Sequence, residues 1–327
     1  MKKRINKILV ANRGEIAIRV FRAASELRIK TVAIYTFEDR FSLHRYKADQ
    51  AFQIGANDDP LKPYLDIQAI INVALKHDVD AIHPGYGFLS ENPDFARACR
   101  DVGIIWIGPS PEAMESLGDK LSSKVIAKEA NVPIVEASGK ALADYDSVLS
   151  FARKIGFPVM VKAATGGGGR GMRVVHEEKN LEKLFSEASR EAKTAFGDDR
   201  VFVEKYIDNP KHIEVQILGD SHGNLVHLFE RDCSVQRRFQ KVVEVAPSIN
   251  LKQKTRESLH KYAVDICKAV DYENAGTVEF LVDMEENIYF IEVNTRIQVE
   301  HTITEVITGI DLVRAQILIA AGENIKD

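Results

Sequence analysis

Cysteine is scarce in this chain: Cys99, Cys233 and Cys267 are three residues in 327, far apart in sequence. They form no C-x-x-C pair and no zinc-ligand spacing, which points to reduced thiols rather than a disulfide framework or a structural metal. No apolar run reaches the length that spans a bilayer, so no membrane association is expected. Met1-Lys2-Lys3-Arg4 has the charge of a signal peptide, but the apolar run behind it covers only Ile8 to Ala11 before Arg13 and Glu15. That is too short for secretion, and a cytoplasmic protein is expected. Basic residues are not in excess: 44 Lys and Arg face 48 Asp and Glu, a net charge of −4, which argues against a general nucleic-acid surface. Local basic clusters can still hold phosphate. Internal repeats and low-complexity linkers are also missing.

What is present is an ordinary globular composition, 45% hydrophobic and 28% charged, on a chain long enough for two domains or one α/β unit with an inserted lobe. The first third alternates strand and helix. Lys7–Ala11, Thr31–Tyr35, Ala81–His83 and Ile104–Ile107 read as strands. A helix starting at Gly14 and others over about 66–77 and 92–102 separate them. That spacing predicts a parallel sheet covered on both faces, with ligands at the carboxyl ends of its strands. Asn12-Arg13-Gly14 and Pro84-Gly85-Tyr86-Gly87 sit at such ends. From about residue 112 the pattern changes. Helices over about 119–130 and 144–155 precede strands at about 158–163, 172–176, 201–206, 212–219, 224–231, 276–283 and 288–293. Helices at about 179–194, 253–270 and 310–321 complete a largely antiparallel second part.

Thr165-Gly166-Gly167-Gly168-Gly169-Arg170-Gly171-Met172 contains a literal G-x-G-x-x-G. A dinucleotide fold needs a helix directly after these glycines, whereas Met172-Arg173-Val174-Val175 reads as a strand. Met172 stands where a Walker A lysine belongs, and the kinase motifs H-R-D and D-F-G are missing. A strand–glycine loop–strand hairpin remains, with Lys162 just before it. Glycines let backbone N–H groups approach a polyphosphate without side-chain obstruction, so the expected ligand is ATP, with the loop closing over its phosphates.

Thr277–Asp283 and Ile288–Asn294 read as a hairpin with a carboxylate among apolar neighbours on each strand, Glu279 and Glu292. Alternation places Asn294 on the face of Glu292. Two carboxylates and an amide oxygen are hard ligands suited to Mg²⁺ on ATP phosphates, though an acidic strand face is an equal reading of these residues alone. Thr295-Arg296-Ile297-Gln298-Val299-Glu300-His301 follows directly. There Arg296 can clamp a planar anion and Glu300 can take a proton. Glu230–Lys241 mixes arginines, a lysine and amides, and reads as an anion-binding wall or as a solvated charged turn.

Together these stretches resemble the biotin carboxylase family of ATP-grasp enzymes. The resemblance rests on Ala11-Asn12-Arg13-Gly14-Glu15-Ile16-Ala17, His83 through Asn92, Gly118-Asp119-Lys120, the glycine loop and Asn294 through His301. Within the family, Ser42 through Asp49 and Lys241 through Ser248 look most like the N-terminal part of pyruvate carboxylase. The fold implied is α/β: a Rossmann-like parallel-sheet domain over 1–115, then an ATP-grasp domain over 116–327 with a mobile lid over about 134–206. The reaction implied uses ATP, Mg²⁺ or Mn²⁺ and bicarbonate to form carboxyphosphate, whose CO₂ passes to biotin on a carrier. By matched position Lys120 and Lys162 hold phosphates beneath Gly166, Gly167, Gly168, Gly169, Gly171 and Met172. Glu204, Lys205, Ile207 and Leu281 line the adenine pocket, with His212 and Gln236 near the nucleotide. Glu279 and Glu292 bind the metal, with Asn294 nearby. Lys241, Arg296, Gln298 and the Val299 N–H bind bicarbonate, Glu300 is the base, and Tyr86 approaches biotin. His301 is read as a structural neighbour of Glu300.

The resemblance also implies a biotin carrier, a carboxyltransferase and a homo-oligomeric full-length form as partners. Phe239 replaces the histidine usual in the family. The family's carboxylase unit continues past residue 327 into a further domain, and no Ala-Met-Lys-Met carrier segment is found. Two alternatives stay open on sequence alone: another ATP-grasp carboxylate–amine ligase, and an ATP-binding chain without turnover.

Overall fold

The computed structural model describes residues 3–56, 59–142, 144–163, 172–238 and 240–326, with 120, 121 and 196 described by their backbone alone. The first third runs β1 (Lys7–Val10), α1 (Gly14–Glu26), β2 (Lys30–Tyr35), α2 (Leu43–Lys47), β3 (Gln50–Gln53), α3 (Ile67–Lys76), β4 (Ala81–His83), α4 (Pro93–Asp101) and β5 (Ile105–Trp106). Asp66 and Asn92 accept from the N–H groups of Ala69 and Phe95, which caps α3 and α4 at the expected starts. The pattern did not predict α2 or β3. None of the residues of β3 is buried, so this edge strand lacks the apolar run that marks the others.

The five strands are parallel in the order β3-β2-β1-β4-β5. The chain leaves β1 in one direction and returns to its other side at β4, so the crevice outside β1 and β4 is the topological switch point. The two predicted strand-end turns meet there. Asn12 Nδ2 donates to the carbonyls of Pro84 (2.7 Å) and Tyr86 (2.8 Å). Gly85 has φ +66°, and a Cβ on it would lie 2.9 Å from Asn12 Nδ2, so the turn requires glycine.

The second part comprises α5 (Pro111–Gly118), α6 (Lys120–Glu129), α7 (Tyr145–Ile155), β6 (Val159–Ala163), β7 (Met172–Val175), α8 (Leu181–Phe196), β8 (Val201–Lys205), β9 (Lys211–Gly219), β10 (Leu225–Arg237), β11 (Gln240–Val245), α9 (Gln253–Lys268), β12 (Asn274–Val282), β13 (Ile288–Asn294), α10 (His301–Thr308) and α11 (Leu312–Ala320). It builds two antiparallel sheets, β11-β10-β9-β12-β13 and β7-β6-β8. The smaller sheet has its own core with α7 and α8, around Val148, Val161, Leu181 and Val203. Three features depart from the sequence reading. β10 runs past 231 to Arg237 and pairs with the unpredicted β11, and α5 and α10 are additional short helices. The charged sequence of β10 and β11 hid their strand character, because their period is set by a functional face rather than a core. Among the described residues, no helix is long and apolar enough to cross a membrane.

One core cluster joins α1 and β1 (Ile8, Val20, Phe21) to β12, α11 and the turn before α10 (Ala275, Leu312, Ile297). His83, fully buried at the end of β4, sits at this junction. The Gly85 N–H donates to its Nδ1 (3.0 Å), so the proton is on Nε2, which donates to Gln316 Oε1 (3.2 Å). Burial pushes the imidazole down to about 4 from its ordinary 6.5, and its neutral form suits both bonds. The unfolded chain takes up a proton below 6.5 that the native state refuses. Folding stability should therefore fall as pH drops from about 6.5 toward about 4, by about 3 kcal/mol from this residue. Urea unfolding of His83→Gln across that window should show a shallower decline than the parent; an unchanged slope would show that His83 is not its source.

Candidate active site

The larger antiparallel sheet brings the acidic hairpin and the charged hairpin onto one face. Glu279 on β12 stands opposite Glu292 on β13, as the alternation predicted. β9 lies between β12 and β10, so Glu214, next to Glu279 in register, is completely buried. β11 folds back along β10 and lowers Lys241 into this acidic patch. Its Nζ donates to Glu279 Oε1 (2.9 Å), to Glu300 Oε1 (2.7 Å) and to Glu214. Burial alone would lower the Lys241 pKa; the charges of Glu279, Glu214 and Glu300 outweigh it and hold the ammonium above its ordinary value. The same attraction acts in reverse on Glu300, where burial would raise the carboxyl and the Lys241 charge brings it below the ordinary range.

Glu279 is the hub. Its carboxylate accepts from His212 Nε2 (2.6 Å), Asn294 Nδ2 (2.8 Å) and Gln298 Nε2 (2.9 Å) as well as Lys241. Burial would raise it, but the His212 bond and the Lys241 charge hold it well below the ordinary range. His212 Nδ1 in turn accepts from Gln236 Nε2 (2.8 Å), so the two predicted nucleotide-side residues form one relay ending on Glu279. Arg296 is held by Glu91 Oε2 (3.0 Å) and Asn294 Oδ1 (3.1 Å), and Glu91 also accepts from the Thr295 N–H (3.1 Å). The Val299 side chain is exposed. Tyr86 lies at the switch-point crevice, its hydroxyl donating to Glu15.

The nucleotide-side expectations fall on the boundary between the two antiparallel sheets. Lys162 pairs with Met172 across β6 and β7, so those strands flank the glycine loop. Gly166, Gly167, Gly168, Gly169 and Gly171 lie outside the described residues, as do Phe239 and the side chain of Lys120. Lys162 and Lys124 both reach the buried Glu204, Lys124 at 2.9 Å. Burial would raise Glu204; the two ammonium groups bring it down to about 2. Ile207 lines a cavity of about 640 Å³ with Tyr206, Asp208, Asn209, Asp283 and Met284. Leu281 pairs with His212 beside it. The Lys205 ammonium is turned away, onto the carbonyls of Gly156 (3.0 Å) and Phe157 (3.2 Å).

Sequence reasoning missed Glu214, Glu91 and Lys124. Glu214 occupies one position in an alternating strand, and only its neighbours across β10 and β11 give it meaning. Glu91 lies within a quoted stretch without a role; its reach to Arg296, 205 residues on, has no sequence signal. The stretch from Glu230 to Lys241 is also not one anion-binding wall. Arg231 is completely buried, Arg237 is exposed, and Gln236 and Lys241 face the site.

The donor set fits a divalent cation. Glu214, Glu279 and Glu300 face only Lys241 and Arg231, leaving one formal negative charge before Glu292 is counted. Oxygen ligands of this kind suit Mg²⁺. The neighbouring group Glu214, Cys233 and Glu300 fits poorly, because burial raises the Cys233 thiol and Glu214 is committed to Arg231 and Lys241.

Residues 4–114 match the biotin carboxylase N-terminal domain family, and residues 119–327 match the ATP-binding domain family of the carbamoyl-phosphate synthase L chain. The chain is 56% identical over 323 residues to pyruvate carboxylase of Staphylococcus aureus, covering 99% of this chain and 28% of that protein. It thus spans less than a third of that relative's length. A crystal structure of Campylobacter jejuni biotin carboxylase in a β-γ-ATP complex superposes with a TM-score of 0.94 at 49% identity, covering 98% of this chain and 72% of that one. The biotin carboxylase domain of Hydrogenobacter thermophilus 2-oxoglutarate carboxylase, solved with MgADP, ADP and bicarbonate, gives a TM-score of 0.94 at 50% identity, with coverages of 99% and 71%. The two domain matches together cover nearly the whole chain, and the likeness extends to the sheet that gathers Lys241, Glu279, Arg296 and Glu300; this chain belongs to the biotin carboxylase family.

Proposed function

We propose that this chain catalyses the ATP-dependent carboxylation of carrier-bound biotin with bicarbonate, by way of carboxyphosphate, as the first half-reaction of a pyruvate carboxylase or a related biotin-dependent carboxylase. The observation that carries this reading is the convergence of Lys241, Gln298 and Glu300 on Glu279, with Arg296 tied to the same Asn294 that bonds Glu279. A small planar anion needs a fork of N–H donors, a fixed cation and a nearby base, and Arg296, Lys241 and Glu300 supply them.

Bound Mg²⁺ neutralises charge on the transferring phosphoryl group. The protein's own residues do the rest. Glu279 and Glu292 hold the metal with Asn294 beside them, and Lys120, Lys162 and the glycine loop hold the phosphates. His212 and Gln236 orient Glu279 from the nucleotide side. Arg296, Gln298 and the Val299 N–H bind bicarbonate, and Glu300 takes its proton. An anion drawn onto Lys241 competes with Glu300 for the ammonium, which returns Glu300 toward ordinary basicity as it is needed. Tyr86, at the switch-point crevice, faces the biotin side. The small sheet β7-β6-β8, with its own core, serves as the lid over the nucleotide, spanning about residues 134–206 of an ATP-grasp domain over 116–327.

The partners that follow are bicarbonate, a biotin carrier, a carboxyltransferase and further copies of the full-length protein. A cytoplasmic location accords with three buried free cysteines. The test is ADP release measured with and without bicarbonate, free biotin and Mg²⁺. Release should require bicarbonate and Mg²⁺ and rise with biotin. Release that ignores bicarbonate and follows an amino acid would replace this reading with another ATP-grasp ligase; nucleotide binding without release would leave a binding chain.

A further inference from the structure

Arg231, on β10, is the largest completely buried side chain among the described residues, and all five of its N–H donors are used. Nε donates to Glu214. Nη1 donates to Gln216 Oε1 and Thr304 Oγ1, each at 2.8 Å. Nη2 donates to Thr277 Oγ1 (3.2 Å) and Gln298 Oε1 (2.8 Å). One planar cation thus ties β9, β12 and α10 to the turn that carries Gln298 and Glu300.

The Gln298 contact has a chemical consequence. A carboxamide has an accepting end and a donating end, and burial lets only one face each way. Arg231 can only donate, so it takes the Gln298 oxygen and leaves the NH₂ group pointing toward Glu279 Oε1 (2.9 Å), on the Lys241 side. Without the guanidinium, either orientation of the amide becomes available, and one of them aims an oxygen at the anion. We propose that Arg231 is a positioning residue that fixes the Gln298 amide with its N–H donors facing bicarbonate. Through Thr304 on α10 it also steadies the helix whose N-cap is Glu300. The inference rests on the reading of Gln298 as a bicarbonate ligand. A lysine cannot replace Arg231, because a single ammonium offers three donors from one point rather than a flat fork of five.

The test is the affinity of the chain for ¹³C-bicarbonate, read from its NMR line width in the presence of MgADP, alongside nucleotide affinity by displacement of a fluorescent analogue. Arg231→Lys should weaken bicarbonate binding about tenfold and leave nucleotide affinity within about twofold. Unchanged bicarbonate affinity with a lower melting temperature would reduce Arg231 to a structural tie and overturn the proposal, as would a parallel loss of both ligands. If Arg231→Lys does not fold, the double variant Glu214→Gln/Arg231→Met removes the buried pair together, a change folds often tolerate. It should bind bicarbonate more weakly than Glu214→Gln alone; equal affinities would overturn the proposal. Gln298→Leu separates the two layers. If it leaves bicarbonate affinity intact, the reading of the site fails; if it weakens binding while Arg231→Lys does not, only the present inference fails.

Discussion

Replacing Glu300 by Gln should lower bicarbonate-dependent ADP release by roughly a hundred- to ten-thousand-fold, the range expected for loss of a positioned general base. The substitution keeps the shape of the side chain and an oxygen for Lys241, which now donates to Glu300 Oε1 at 2.7 Å. It removes only the ability to take a proton. Nucleotide affinity should stay within about a factor of two, because Glu300 lies on the anion side of Glu279 rather than in the Ile207 cavity. Rates within about tenfold of the parent would mean that another group accepts the proton. The neighbouring His301 is not that group by geometry: it is buried, and its Nδ1 donates to the Gln298 carbonyl at 2.7 Å.

Lys241→Met should produce the largest change in stability, and its sign should depend on pH. Lys241 is the only ammonium that Glu214, Glu279 and Glu300 share. Removing it leaves buried carboxylates undercompensated, at a cost of about 3–5 kcal/mol near neutral pH, the range for breaking a buried ion pair. Arg231 on Glu214 and the His212, Asn294 and Gln298 bonds on Glu279 keep the cost within that range. In the parent, Glu279 and Glu300 have depressed values, so their contribution is fully present above the ordinary carboxylate range and is lost as pH falls below it. In the variant the same groups lie above the ordinary range, and taking up protons relieves them. The stability gap between parent and variant should therefore be widest at pH 8 and shrink toward pH 5, as read by urea unfolding. A gap of equal size at both values would mean that Lys241 contributes packing rather than charge. Bicarbonate-dependent turnover should be lost in this variant at every pH, since the ammonium also meets the anion.

The sequence by itself determined the parts of the molecule whose causes are local. Apolar runs separated by capped helices specify the parallel sheet, because β1, β2 and β4 are buried strands and Asp66 and Asn92 cap the helices where the pattern starts them. The strand-end turns at Asn12 and Gly85 were legible because only glycine tolerates that approach. The facing of Glu279 and Glu292 followed from a tight hairpin whose register period two alone can propagate. Arg296, Gln298 and Glu300 were legible as a group because they lie within a few residues of one another.

What only the tertiary structure decided is which charges meet. Lys241 reaches Glu300 across 59 residues, Arg296 reaches Glu91 across 205, and Arg231 lies inside the sheet although its sequence neighbours read as a charged surface. These pairings depend on the order β11-β10-β9-β12-β13 and on the shifts of register within β10, which place one arginine inward and the next outward. Strand order is fixed by the packing of whole sheets and leaves no periodic trace in any one strand. The buried charges that tune the site, Glu214 above all, therefore become visible only when distant strands are brought side by side.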